Sequence, residues 1–184
     1  MRQLRRSLRI LSEMKKYDTL FLDRDGVLNK KIEAGYVLDI CDIEVLPGVV
    51  YFLSRVRNLF NQIIVVTNQR CVGRGMLTMD RLEMINRTLN QLTGSHIDHF
   101  LVCPHLNNDM CECRKPKDGL FRKAGDIYNI DFSNSVLVGD SESDLIPAKE
   151  LGIKTIYISG YESKYADKRV SSTLHLLSAF NNLY

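Results

Sequence analysis

Short apolar runs alternating with longer amphipathic stretches set the main constraint on how this chain folds. Five runs read as strands: 18–22, Gln62–Val66, His99–Cys103, Ser135–Val138 and Lys154–Ile158. Between them the spacing predicts helices over 47–60, opened by Pro47, over 78–92, opened by Thr78, over 117–129, and over 142–151, ended by Gly152. Strands separated by helix-length segments pair in parallel, because parallel neighbours need a long crossover and a helix usually supplies it. The expected class is α/β, a doubly wound and mainly parallel sheet with helices on both faces. Ligand chemistry is expected at the carboxyl ends of the strands.

With 184 residues, 45% of them hydrophobic, the chain is long enough for one core. It reads as a single domain over 17–184 behind a basic extension over 1–16. No apolar stretch approaches the ~20 residues that a membrane-spanning helix needs. The net charge is +3, but residues 1–16 hold six basic side chains against Glu13 alone, which leaves about −2 for the rest. The body is therefore not a basic nucleic-acid binder. In the extension, Leu4, Leu8, Leu11 and Met14 fall at helical spacing among arginines. That pattern suits a surface-packed helix, an anionic membrane or a targeting peptide; the stronger reading takes Met14-Lys15-Lys16-Tyr17 as an ordinary start just before the first strand, with the first 13 residues as an accessory extension or a misassigned start. Nothing resembles a secretion signal, so the expected compartment is the cytoplasm.

Three polar segments follow predicted strands. Asp23-Arg24-Asp25-Gly26 follows the first, Thr67-Asn68-Gln69 the second, and Gly139-Asp140-Ser141-Glu142-Ser143-Asp144 the fourth. Two carboxylates one residue apart can divide labour, one attacking an electrophile and the other handling a proton. The Thr67 hydroxyl and nearby N–H groups can hold phosphate oxygens, with Gly73-Arg74-Gly75 as a flexible turn beside them. Each segment alone is ordinary turn chemistry. Their joint placement at strand ends is what points to a site.

Cys103-Pro104-His105 and, five residues on, Cys111-Glu112-Cys113 supply four ligands in eleven positions. That set matches a closed Cys3His structural zinc site, the alternative being incidental thiols. A disulfide between Cys111 and Cys113 would be strained. Cys41 and Cys71 lie outside the cluster and read as free thiols. The zinc loop leads into Arg114-Lys115-Pro116-Lys117, and a loop folded on metal would fix how Arg114 and Lys115 enter a site. Arg114 is then placed to grip a second anionic group by bidentate hydrogen bonding.

Taken together, Asp23-Arg24-Asp25-Gly26-Val27, Thr67, Lys115 and Gly139-Asp140-Ser141-Glu142-Ser143-Asp144 resemble the signature of the haloacid dehalogenase (HAD) superfamily of phosphohydrolases, over about residues 18–158. The resemblance implies Mg²⁺ held by Asp23, the Asp25 carbonyl and Asp140, with Asp144 acting through water. It implies Asp23 as nucleophile, Lys115 (with Lys117 as rival) and Thr67 as phosphoryl ligands, and Asp25 as general acid and base. For that role Asp25 has to be protonated first, and its acidic neighbour is expected to raise its pKa.

Cys-x-Cys-Arg-Lys-Pro narrows the resemblance to a zinc-containing branch with heptose bisphosphate phosphatases and histidinol-phosphate phosphatases. Residues 25–29, Gly35-Tyr36-Val37 and Leu46-Pro47-Gly48-Val49 look like the former; the compact zinc loop looks like the latter. Ser141 departs from the Lys of many heptose enzymes. The implied partner is a small phosphorylated substrate, a sugar bisphosphate, acted on by a monomer with no cap domain. Expected substrate contacts are Arg24, Asn29, Gly35, Tyr36, Asn68, Gln69, Arg74 and Arg114. Two other classes fit less well: a polynucleotide-end phosphatase, which shares Thr-Asn-Gln, and a catalytically silent zinc-bearing binding module.

Overall fold

The computed structural model describes residues 16–180. The expected extension falls almost wholly outside them. Six strands, β1 (Tyr17–Leu22), β2 (Phe60–Asn68), β3 (His99–Cys103), β4 (Val136–Gly139), β5 (Lys154–Ile158) and β6 (Lys168–Val170), form one sheet in the order β3-β2-β1-β4-β5-β6. Every pairing is parallel. β1 lies in the middle, with Phe21 opposite Ile64 on one side and Leu137 on the other. The chain runs outward from β1 to β3, then returns to start the other half at β4. The gap between the carboxyl ends of β1 and β4 is thus the topological switch point, where open α/β sheets bind ligands.

Strand side chains alternate between two cores, as a pleated strand buried on both faces requires. Leu20, Leu22, Ile63, Val65, Val136 and Val138 face α1 (Val49–Val56) and α6 (Leu176–Phe180), meeting Phe52, Leu53 and Phe180. Phe21, Ile64, Val66 and Leu137 face α4 (Gly119–Tyr128) and α5 (Glu142–Glu150), meeting Phe121, Ala124 and Leu145. Each fully buried Leu, Ile or Phe contributes about 1.5–3 kcal/mol. The second core brings α5 against β4, which sets the Asp140–Asp144 segment over the switch point. A third, smaller cluster joins Leu82 and Ile85 of α3 (Met79–Leu92) to Cys71, Leu77 and Val37. Val37 belongs to the loop after Asn29, so this cluster pins that loop beside the strand ends.

Three local features differ from expectation. The helix expected over 47–60 is α-helical over Val49–Val56, capped by Gly48 at φ 85°, and tightens into a 3-10 turn over Arg57–Leu59. Phe60, fully buried and paired with Tyr17, draws the following residues into β2. In the Gly73-Arg74-Gly75 segment the turn falls on Arg74 and Gly75, with Gly75 at φ 70°, while Gly73 ends the short helix α2 (Arg70–Gly73). Its N–H donates to the Pro104 carbonyl at 2.9 Å, and a Cβ there would approach that oxygen to 2.7 Å. Close backbone packing against the start of the cysteine loop is therefore what glycine permits. β6 and α6 have no counterpart in the expected elements. Among the described residues no helix is long and apolar enough to cross a membrane.

Candidate active site

β1 ends where the Asp23 N–H donates to the Val138 carbonyl at 3.0 Å, tying the first acidic residue to β4. The chain then turns back over Arg24, whose carbonyl accepts from Leu28 and Asn29, and Gly26 adopts φ 95°. A Cβ on Gly26 would lie 2.2 Å from Asp140 Oδ2, so only glycine lets the β1 loop come this near the β4 loop. The result is a cleft of about 380 Å³.

At its floor Lys115 and Asp23 are both buried. Lys115 Nζ donates to Asp23 Oδ1 at 2.9 Å and to the Val66 carbonyl at 2.6 Å, and lies 2.6 Å from Asp144 Oδ1. Burial lowers the Lys115 pKa, but Asp144 and Asp23 outweigh it and hold the ammonium well above its usual range. Asp23 is pushed up to about 6, by burial first; Lys115 opposes this, while Asp144 and Asp25 add to it. Asp144 also serves as a helix cap, its Oδ2 accepting from the Ser141 N–H at 3.1 Å. Ser141, in turn, is the N-cap of α5.

Asp25 stands differently from the expectation. Arg24 forks onto both its oxygens, with Nη2 2.9 Å from Oδ2 and 3.1 Å from Oδ1. Asn29 Nδ2 donates to Oδ1 at 2.8 Å and Gln69 Nε2 to Oδ2 at 2.7 Å. Burial raises the Asp25 pKa, but the Arg24 charge and these hydrogen bonds outweigh it, so the pKa is lowered. The expected rise from Asp23 is corrected, because the adjacent guanidinium is the nearer and stronger influence.

Arg24, Asn29 and Gln69, expected at the substrate, are buried behind Asp25 and do not line the cleft. Arg24 Nη1 and Nη2 also reach Asn86 and Gln69, and Gln69 Nε2 reaches Thr67 Oγ1 at 3.0 Å. They form a polar frame that orients Asp25 and Thr67. Arg74 caps α2 at the surface, over the Tyr36 ring, and likewise does not line the cleft. Gly35, Tyr36, Thr67, Asn68 and Arg114 do line it. So do two basic residues that sequence reasoning passed over. Lys31 Nζ lies 2.9 Å from Asp140 Oδ2, and Arg70 opens α2 directly after Thr67-Asn68-Gln69. A basic residue adjoining a phosphate-loop candidate was the signal available for Arg70.

The acidic groups fit a hard divalent cation. Oxygens of Asp23, Asp140 and Asp144 all lie within 4.8 Å of one another, and buried Asp140 Oδ1 has no hydrogen-bond partner. Burial and the neighbouring Asp23 raise the Asp140 pKa against the pull of Lys31. A divalent cation relieves that crowding.

The cysteine cluster also fits a metal. Sγ of Cys103, Cys111 and Cys113 and a ring nitrogen of His105 lie within 4.8 Å of one another. Cys103 Sγ is 3.7 Å from Cys111 Sγ and from His105 Nδ1, and His105 Nδ1 is 3.1 Å from Cys113 Sγ. Tetrahedral zinc with bonds of about 2.3 Å to sulfur has sulfur–sulfur edges near 3.8 Å. Burial and the two neighbouring thiols push Cys113 up to about 12. Three crowded thiols cannot ionise together without a cation between them. The loop continues into Lys115, whose main chain is bound by the Asn68 amide.

Residues 112–173 match a family described as HAD-hydrolase-like. The chain is 37% identical over 159 residues to a D-glycero-alpha-D-manno-heptose-1,7-bisphosphate 7-phosphatase of Campylobacter jejuni, covering 83% of this chain and 88% of that protein. The chain belongs to the HAD hydrolases. With curated phosphatases among its relatives at this identity and coverage it is a phosphatase, and phosphatases of this family use Mg²⁺. A D-glycero-beta-D-manno-heptose-1,7-bisphosphate 7-phosphatase of Vibrio cholerae is 34% identical to this HAD phosphatase over 146 residues, 74% of this chain and 77% of that protein. A solved structure of a D,D-heptose 1,7-bisphosphate phosphatase from B. bronchiseptica, complexed with magnesium and phosphate, superimposes with a TM-score of 0.80 at 24% identity. It covers 91% of this chain and 99% of that one. That likeness is one of fold.

Proposed function

We propose that this phosphatase removes the 7-phosphate of D-glycero-D-manno-heptose 1,7-bisphosphate through an aspartyl-phosphate on Asp23, acting as a monomer in the cytoplasm. The observation that carries the substrate is the 34–37% identity to relatives named for this activity. The cleft supports the chemistry. It is small and open, and its floor pairs an acidic nucleophile with a buried ammonium.

The Asp23 carboxylate attacks phosphorus as the bond to the sugar oxygen breaks, and Asp25 gives that oxygen its proton. Water then attacks the phosphoryl group, Asp25 takes the water's proton, and Asp23 is released. Thr67 and the Lys115 ammonium hold the phosphoryl oxygens as charge shifts among them. Arg24, Asn29 and Gln69 favour the ionised form of Asp25, which suits the second half-reaction. For the first, an incoming phosphate adds negative charge beside Asp25 and favours its protonation. Asp23, Asp140 and the Asp25 carbonyl would hold Mg²⁺, with Asp144 behind them. When bound, that ion screens the Asp23 carboxylate from the phosphate it approaches. Cys103, His105, Cys111 and Cys113 would hold a structural Zn²⁺ that shapes the loop bearing Arg114 and Lys115.

The test compares kcat/KM on heptose 1,7-bisphosphate with that on histidinol phosphate. Preference for the heptose by tenfold or more is expected; the reverse preference overturns the substrate while leaving the chemistry intact. Asp23→Asn is expected to abolish turnover on either.

A further inference from the structure

The carboxylates of the cleft already have cationic partners. Asp23 and Asp144 are met by Lys115, Asp25 by Arg24 and Asp140 by Lys31. Two cleft-lining cations, Arg70 and Arg114, are paired with no carboxylate among the described residues. Among the described residues the Arg114 guanidinium hydrogen-bonds the His105 carbonyl alone, at 3.4 Å. Arg70 is held more firmly. Its Nε donates to the Tyr36 hydroxyl at 2.5 Å, and its guanidinium carbon lies 5.8 Å from the centre of the Tyr36 ring. Arg74 lies over the same ring at 5.8 Å. Neither Nη of Arg70 has a hydrogen-bond partner among the described residues. A guanidinium fixed through Nε, with its outer nitrogens unpaired in a cleft, is prepared for bidentate recognition of an oxyanion.

The chain geometry gives this arginine a particular place. Arg70 follows the phosphoryl-ligand candidate Thr67 by three residues, on the helix that starts there, while Tyr36 comes from the loop after β1. Arg70 therefore links the catalytic strand ends to the overhanging loop. We propose that Arg70 binds the phosphate that is not hydrolysed, and that Tyr36 is the residue positioning it. The inference rests on the reading of the substrate as a sugar bisphosphate, and it makes selectivity for a second phosphate a property of α2 and the loop together. Arg114 supplies further positive charge from a separate segment.

The experiment measures kcat and KM for wild type, Arg70→Met, Arg70→Lys and Tyr36→Phe on heptose 1,7-bisphosphate and on p-nitrophenyl phosphate, which lacks a second phosphate. Loss of a charge-assisted bidentate contact corresponds to roughly ten- to hundredfold. Arg70→Met is expected to lower kcat/KM for the bisphosphate by that factor, mainly through KM, and at least tenfold more than for p-nitrophenyl phosphate. Arg70→Lys should fall between it and wild type, and Tyr36→Phe should move KM in the same direction by a smaller factor. Equal losses on both substrates would make Arg70 a structural strut and overturn the proposal, as would an unchanged KM for the bisphosphate. A wild-type enzyme with no preference for the bisphosphate overturns the substrate reading instead, a failure visible before any variant is made.

Discussion

Asn68 and Lys115 are bonded twice: the Asn68 amide donates to the Lys115 carbonyl at 3.0 Å, and its oxygen accepts from the Lys115 N–H at 3.1 Å. The two residues lie far apart in sequence, one at the end of β2 and the other after the cysteine loop. This clamp fixes the main chain from which the Lys115 side chain descends to Asp23. Asn68→Ala should therefore lower stability by about 1–3 kcal/mol. It should also reduce kcat by roughly tenfold or more, since small displacements of a charge-stabilising group are costly. Urea unfolding and steady-state kinetics check both. A kcat that survives the loss of stability would mean Lys115 is held by its side-chain contacts alone.

Arg24 is buried, and its charge is compensated by Asp25. Removing one partner of a buried pair leaves the other charge stranded, at a cost of about 3–5 kcal/mol. Arg24→Met is expected to destabilise by this order, and Arg24→Met combined with Asp25→Asn to recover part of it. Strict additivity of the two changes in a thermal or denaturant melt would show that the pair is not energetically coupled.

The uneven legibility of this chain has a physical basis. β1, β2, β4 and β5 are strong apolar runs because both faces of their sheet are covered, so the sequence pattern and the burial carry the same information. β6 is invisible to that pattern. Lys168 and Arg169 are exposed, and the strand exists through its pairing with β5. The acidic and basic groups at the strand ends, Asp23, Lys115, Asp140 and Asp144, were legible as motifs. The frame around Asp25 was not, because Arg24, Asn29 and Gln69 look like substrate contacts when only their position beside a motif is known. Which way a side chain turns depends on the partner across the fold. For Arg24 that partner includes Asn86 of α3, 62 residues away.

Gly26 offers a test of how closely the two acidic loops must approach. Alanine there meets both an unfavourable positive φ and Asp140 Oδ2, which would have to move. Gly26→Ala is expected to weaken the apparent affinity for Mg²⁺ by more than tenfold, with a smaller effect on overall stability. Calorimetric titration with Mg²⁺ reads the first and a thermal melt the second. Unaltered Mg²⁺ binding would show that Asp140 is not a ligand.

Zinc in the cysteine loop is testable by elemental analysis. Protein purified without added metal should carry about one zinc per chain, and Cys113→Ser should lose it. Because the loop leads directly into Arg114 and Lys115, the loss should also lower kcat and the melting temperature together. Full activity in zinc-free protein would sever the cluster from the placement of Lys115.

Away from the cleft, Asp167 supplies a pH-dependent part of the fold's stability. Its Oδ2 accepts from the Thr155 N–H at 2.9 Å and from the Thr155 hydroxyl at 3.0 Å, and Oδ1 pairs with Lys149. Burial raises the Asp167 pKa, but the Lys149 contact and the Thr155 donors outweigh it, so the folded value lies below the unfolded one. The stabilisation is therefore complete above the unfolded value of ~3.9 and disappears as pH falls through the folded value. Asp167→Asn should cost about 1–2 kcal/mol at pH 7, and the gap from wild type should close as the pH is lowered below about 4. Urea melts of both proteins at pH 7, 5, 4 and 3 provide the comparison. A gap that stays constant across that range would assign the loss to packing and not to the Asp167 charge.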